Sequence, residues 1–259
     1  MFDEPFARGQ SFIHKLDPRI RLLCAGSGII CTALLRHRAA AVYSLLLAVI
    51  LFILSKPKLK FAFKRILAVN IFILFLWLTV PLSPGGENFV QAGSLGINRR
   101  GVELVTLLTL KSNAIALLFL ALVATMNVAV LGKALSSLRC PDKLVFLLLF
   151  TYRYIHVVLD GWQRLWSAAK LRAFTPGSNV RSYRAFANML GMTFVQSFTR
   201  SGRVYEAMRL RGFSGSFVSA APFKTAGRDI VFVILLVILL AIIYARDIYG
   251  VEHAGSAYF

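Results

Sequence analysis

Residues 230–245 read IVFVILLVILLAIIYA, an unbroken apolar run bounded by Arg228 and Arg246. A helix needs ~20 mostly apolar residues to cross the hydrocarbon core of a bilayer, with a range of about 17 to 25. This run with its flanks meets that need, and three others do the same. They are Ala40–Leu54 between Arg38 and Lys56, Ile66–Leu82 after Lys64 and Arg65, and Val102–Thr125. A fifth, Ile20–Leu35, contains LLCAGSGIICTALL. Its small residues suit close helix packing as much as lipid contact. The whole chain is 58% hydrophobic with a mean hydropathy of +0.69, against about 45–50% apolar residues for a soluble domain.

Charge is scarce but one-sided: 16% of residues are charged, and the net charge is +19. Such an excess indicates an anionic partner or the usual bias of Lys and Arg toward the cytoplasmic side of a membrane. Nucleic acid is excluded as the partner by the long apolar runs. The linker SKPKLKFAFKR carries Lys56, Lys58, Lys60, Lys64 and Arg65 with no acid, so the positive-inside rule predicts that it is cytoplasmic. The N-terminal arm with Lys15, Arg19 and Arg21 then lies inside as well. The Arg36-His37-Arg38 turn and the Pro- and Gly-rich loop PLSPGGENFVQAGSLGINRRG lie outside, the latter as a non-helical connection. The start, MFDEPFARGQ, reads as no cleavable signal, so the chain is expected to enter the membrane through its own spans.

Residues 131–228 fall on the inner side and hold 15 Lys and Arg against three acids, Asp142, Asp160 and Glu206, a balance of 15 − 3 = +12. Two long helices are predicted there. One follows Pro141 and runs from Asp142 to about Phe174, where Thr175-Pro176-Gly177-Ser178 breaks it. Its polar residues Arg153, His156, Asp160, Gln163, Arg164, Ser167 and Lys170 recur at three- and four-residue steps, which makes one polar stripe. At ~1.5 Å per residue it is on the order of 50 Å long, and it is expected to start near the inner leaflet and continue along its surface, with a tilted span as the alternative. The second runs from about Arg181 to Gly212. The expected fold is therefore an all-α membrane protein of about five transmembrane helices, with two long amphipathic cytoplasmic helices and a short one before them. Its three segments are a bundle of about four spans (1–130), a cytoplasmic helical domain (131–228) and a final span with its tail (229–259).

The two long helices end in the same words. RLWSAAKLRAF (Arg164 to Phe174) recurs as RVYEAMRLRGF (Arg203 to Phe213) with a constant offset of 39 positions. Arg in a last helical turn complements the helix dipole, and Gly commonly follows as terminator. A helix end needs only the last few of these residues, whereas here the whole stretch is duplicated. The composition suits docking. Arg172 and Arg211 offer planar forks for carboxylates. Ala168 and Ala207, one turn earlier, permit close approach, and Phe174 and Phe213 supply apolar anchors beside the charge. Arg164 and Arg203 are secondary candidates. Two such ends suit a partner presenting the same pocket twice.

HKLDPRIRLL (His14 to Leu23), SLRCPDKLVFLLLFTYRYIHVVLDGWQRLWSAAKLRAF (Ser137 to Phe174) and LGMTFVQSFTRSGRVYEAMRLRGF (Leu190 to Phe213) together make the chain resemble the transmembrane T component of energy-coupling factor (ECF) transporters, in its CbiQ-type cobalt form. The resemblance implies that two coupling helices dock into grooves of two ABC-type cytoplasmic ATPase subunits, which bind ATP and magnesium, while this chain binds no cofactor or metal. It also implies a separate CbiM-like substrate-binding membrane subunit, a lipid environment, no nucleic acid, and residence in the cytoplasmic (inner) membrane of a prokaryote. The family's Ala-Arg-Gly-type signatures correspond to Leu171-Arg172-Ala173 and Leu210-Arg211-Gly212. The departures leave the arginines intact but open a question about the backbone after Arg172, where Ala173 replaces Gly.

Other function classes fare worse. The chain has no GxxxxGK[ST] phosphate loop and so is not itself the ATPase. As a non-catalytic subunit it is expected to link ATP hydrolysis in its partners to cobalt uptake; nickel or vitamin import is the alternative. A self-sufficient channel or secondary transporter would route ions past polar residues inside spans, and only Asn70, Lys111 and Asn113 offer themselves. An enzyme would need a catalytic pair, and His14, His156, Asp160 and Glu206 form none. Cys24, Cys31 and Cys140 make neither a disulfide framework nor a zinc motif, and the first two are expected to serve helix packing.

Overall fold

The computed structural model describes residues 13, 16–57, 59–82, 88–92, 95–213 and 227–256. His14, Lys15, Lys58 and Lys224 lie outside these, as do the N-terminal ten residues and parts of the Pro- and Gly-rich loop. The chain is an all-α membrane protein. In order it forms α1 (Pro18–Leu34), α2 (Arg38–Ser55), α3 (Leu59–Thr79), a hairpin of β1 (Asn88–Ala92) and β2 (Leu95–Asn98), α4 (Arg99–Leu122), α5 (Val128–Ser137), α6 (Asp142–Leu171), α7 (Val180–Leu210) and α8 (Gly227–Ser256). The described residues form two compact units, one within 131–213 and the other within 13–130 and 227–256.

Among the described residues five helices are long and apolar enough to cross a membrane: α2, α3, α4, α6 and α8. The sequence count of five differs by one exchange. Helix α1 has 17 residues and two Gly, whereas the 30 residues of α6 include a run apolar enough to span. In the Pro- and Gly-rich loop the described residues up to Asn98 are non-helical as expected, its last three residues opening α4, and Ala92 pairs with Leu95 and Asn88 with Asn98 in an antiparallel ladder.

In the larger unit α4 is the central post, with α1, α2 and α3 packed on it. Its Ala114, Leu117, Leu118, Ala121 and Leu122 are buried in one cluster with Ala40, Leu47, Ala48 and Leu51 of α2 and Cys24 and Ala25 of α1. Small side chains let these helices approach, which matters where lipid leaves no hydrophobic force to press helices together. A Cβ on Gly28 would stand 3.6 Å from Leu118 Cδ1. Cys24 is buried in this cluster and Cys31 packs on its edge, as the packing role requires.

Polar groups inside this unit bond between helices. Thr32 and Ser44 hydroxyls pair at 2.8 Å across α1 and α2, and the Asn70 and Asn113 amides exchange two bonds of 3.1 and 3.2 Å across α3 and α4. Lys111 Nζ donates to the Ala33 carbonyl at the end of α1 (3.0 Å). The polar residues that an ion route would have used are thus engaged in holding helices together.

Two carboxylates of α8 fasten α1 at both ends. Asp229 accepts from the Asp17 backbone N–H (3.1 Å), and Asp247 accepts from the backbone N–H groups of Arg36 (2.9 Å) and His37 (2.7 Å). Both acids are buried. Near the start of α1, the buried Arg21 guanidinium donates to the carbonyl of Leu122, the last residue of α4 (2.9 Å), and to the Thr125 hydroxyl. A cation at a helix C-terminus meets the negative end of its dipole.

The smaller unit is built from α5, α6 and α7. Pro141 stands at the N-cap of α6 rather than within its first turn. Gly132 brings α5 onto α6: a Cβ there would fall 2.6 Å from Leu149 Cδ2. Helices α6 and α7 form an antiparallel hairpin. Trp166 stacks on Phe186 (5.6 Å between centroids) at one end, Phe146 lies against Phe213 (5.3 Å) at the other, and Gly161 faces Gln196 between them. A cleft between the two helices is lined by Thr193, Gln196, Ser197 and Arg200 of α7. Phe194, Val195 and Phe198 of α7 are left exposed, on a face without a partner in this unit.

Candidate docking surface at two helix ends

The two repeated stretches close their helices in the same way. Beyond α6, Ala173 N–H donates to Lys170 O (3.0 Å) and Phe174 N–H to Ala169 O (3.1 Å). Beyond α7, Gly212 N–H donates to Arg209 O (3.0 Å) and Phe213 N–H to Met208 O (3.1 Å). Each pair is a Schellman motif. It requires a left-handed residue just past the end, and Ala173 (φ 58°) and Gly212 (φ 76°) supply it. The arginines before them sit at φ −88°, ψ 23° and φ −89°, ψ 11°. Ala173 therefore follows the path of its glycine twin, at the steric cost of a Cβ in the left-handed region. Ala173→Gly is expected to stabilise the protein by about 0.5–1 kcal/mol, relief of that strain outweighing the added freedom of the unfolded chain. The thermal midpoint of the purified protein checks it, and a fall in midpoint contradicts the strain.

Exposure follows the repeat as closely as the backbone does. Arg164 and Arg203, Ala168 and Ala207, Leu171 and Leu210, Arg172 and Arg211, and Ala173 and Gly212 are all exposed. Leu171 and Leu210 stand out at 89% and 90% exposed, a placement no folded chain gains from by itself. Among the described residues neither Arg172 nor Arg211 has a side-chain hydrogen bond or carboxylate partner. Two residues back, Lys170 Nζ lies over the Trp166 ring (5.4 Å) and the Arg209 guanidinium over the Tyr205 ring (5.9 Å), again 39 positions apart. These cation–π contacts hold one basic group of each end against its own helix and leave the next arginine extended.

The phenylalanines behave differently from the sequence expectation. Phe174 packs edge-on against Trp166 and Phe186, and Phe213 lies against Phe146. Both are half-buried and fix the chain leaving each helix. The outward apolar element at each end is the leucine. Beside Leu171, a shallow groove lined by Asp160, Arg164 and Ala168 continues along α6, so the secondary arginine shares the face of the projecting leucine. Because α6 and α7 are antiparallel and about 30 residues long, their arginine-bearing ends lie on the order of 45 Å apart.

A third helix closes likewise. Past α5, Arg139 N–H donates to Ser136 O and Cys140 N–H to Leu135 O (both 3.2 Å), with Arg139 itself left-handed at φ 63°. The text Leu138-Arg139 before a small residue was the available signal, but its register is one residue out of step with the other two ends. Among the described residues no three His, Cys, Asp or Glu side chains gather to hold a metal ion.

The family model described as "Cobalt transport protein", CbiQ, matches residues 9–222, which include both helix ends and the five helices α1 to α5 before them. The chain belongs to the CbiQ family. Its relatives include proteins named energy-coupling factor transporter transmembrane protein EcfT. That of Macrococcus caseolyticus is 26% identical over 217 residues, covering 80% of this chain and 82% of the relative. The Brevibacillus brevis protein is 25% identical over 253 residues (92% and 95%), and the Streptococcus thermophilus protein 28% over 219 residues (80% and 83%). The family match thus covers α2, α3 and α4 of this CbiQ family chain as well as its basic hairpin, and stops before α8.

Proposed function

We propose that the chain is the transmembrane coupling subunit of an ATP-driven ECF-type importer, with cobalt as its cargo. The observation that carries this reading is the pair of matched helix ends, each offering an arginine without a partner among the described residues beside a fully projecting leucine. Two copies of a cytoplasmic ABC-type ATPase each receive one end, their acidic grooves taking Arg172 or Arg211 in charge-assisted bonds. The names of the EcfT relatives support an ECF assembly, and the family description supports cobalt. The N-terminus and the basic hairpin lie on the cytoplasmic side of the inner membrane, as the charge of residues 131–228 favours.

The chain itself does no chemistry. ATP and magnesium bind the partner ATPases, whose opening and closing changes the spacing of the two pockets. Helices α6 and α7 respond as rigid elements pivoting at their crossing, where Gly161 leaves room beside Gln196. The exposed apolar face at Phe194, Val195 and Phe198 then carries the movement to a substrate-binding membrane subunit of CbiM-like type. Reconstitution in liposomes tests this. Cobalt accumulation is expected only with the ATPases, the substrate-binding subunit and ATP all present. Uptake by this chain alone overturns the reading.

A further inference from the structure

Between α1 and α3, above α4, lies an open groove of about 710 Å³. Its walls are apolar, with Ile29 on α1, Ala68 on α3 and Ala116 and Phe119 on α4, and Lys64 and Arg65 stand at one end of it. Both cations are exposed, and neither makes a hydrogen bond or ion pair among the described residues. No acid on the surrounding helices compensates them: α3 has none, and Glu103 of α4 bonds Arg38 at the helix's opposite end. The groove follows α4 from Ser112 to Leu120, about 12 Å. That is close to the ~15 Å depth of one leaflet, half the hydrocarbon core, and too short to seat a whole transmembrane helix.

We infer that this groove holds one anionic phospholipid of the cytoplasmic leaflet, its phosphate between Lys64 and Arg65 and one acyl chain along α4. Apolar walls alone do not select a lipid, because acyl chains are as apolar as the side chains they meet. Selection rests on the headgroup, and basic pockets between transmembrane helices on the cytoplasmic side are where acidic headgroups bind. The inference needs the membrane placement of α1, α3 and α4 and is independent of the transport role.

The test uses the full chain in mild detergent, mixed with phosphatidylglycerol or phosphatidylcholine, with retained lipid counted by native mass spectrometry. The expected result is one retained phosphatidylglycerol. Lys64→Gln with Arg65→Gln is expected to reduce the preference for it about 25-fold, from roughly five-fold per cation. Ala116→Phe, which fills the groove without altering charge, is expected to lower retention too. Lys56→Gln with Lys60→Gln, an equal charge change on the same basic linker, should leave it intact. Equal loss in that last variant, or full retention when the groove is filled, reduces the effect to general surface charge and overturns the site. A photo-cross-linker at position 68 that captures a protein chain in membranes instead of lipid overturns it as well.

Discussion

Arg172→Glu combined with Arg211→Glu is expected to strip the ATPase subunits from the protein and bring uptake to background, with membrane yield unchanged. Both side chains are exposed and without partners among the described residues, so reversal removes nothing that the fold uses. In the proposed complex each becomes a desolvated charge pair. Truncating one member of such a pair costs about 2–5 kcal/mol, and reversal adds repulsion. A single reversal therefore weakens binding by roughly 30-fold or more and leaves the other end attached. The linked second contact operates at high effective concentration, so the double variant should lose far more than either single one. Arg→Lys at both ends should fall between, since the charge remains and the planar fork does not. Co-purification with the ATPases reads all four variants. A double reversal that still captures them at the wild-type level removes these ends from the docking surface.

The second large effect lies at Arg21, and its size depends on the replacement. Arg21→Glu puts a buried carboxylate against the Leu122 carbonyl and the negative end of the α4 dipole. Buried charge without a partner costs on the order of 3–5 kcal/mol, enough to deplete the folded protein from the membrane. Arg21→Met removes the charge together with its desolvation and leaves one carbonyl without this donor, a loss of about 1–2 kcal/mol. Thermal unfolding in detergent should therefore rank wild type above Met and Met well above Glu. If the Met variant is as damaged as the Glu variant, the site depends on the cation itself and not on avoiding an anion.

How far the sequence foretold this depends on whether the signal was local. Apolar runs over one helix length identify spans such as α2 and α8 because the bilayer imposes the length directly. Charge asymmetry and the repeat at Arg164–Phe174 and Arg203–Phe213 were equally legible, being patterns along the chain. Contacts made across the fold were not. Asp229 and Asp247 sit beside the bounding Arg228 and Arg246 with no local signal of their role, yet they bond backbone groups more than 200 residues away. Arg21 read as a cytoplasmic cation and is buried beneath the end of α4. Phe174 and Phe213 read as outward anchors because composition does not reveal which aromatic rings an antiparallel neighbour will supply. The exchange between α1 and α6 in the set of span-length helices has a different origin. The apolar first half of α6, beginning at Leu144, was legible, but the polar stripe along the rest favoured a surface helix over the tilted span.

An antiparallel pair of helices with matched ends has a property that neither helix has alone. A half-turn about an axis through the crossing exchanges Arg172 with Arg211, Leu171 with Leu210 and the bend at Ala173 with that at Gly212. That operation is the one that relates the subunits of a homodimer. The hairpin of α6 and α7 thus has approximate two-fold symmetry, generated by a 39-residue repeat within a chain whose other helices show none. A dimer of identical ATPases would find the same surface for each protomer. The membrane helices, free of that constraint, would offer one unique face to one cargo subunit, and in the proposed complex the hairpin would then act as an adaptor between a symmetric motor and an asymmetric load.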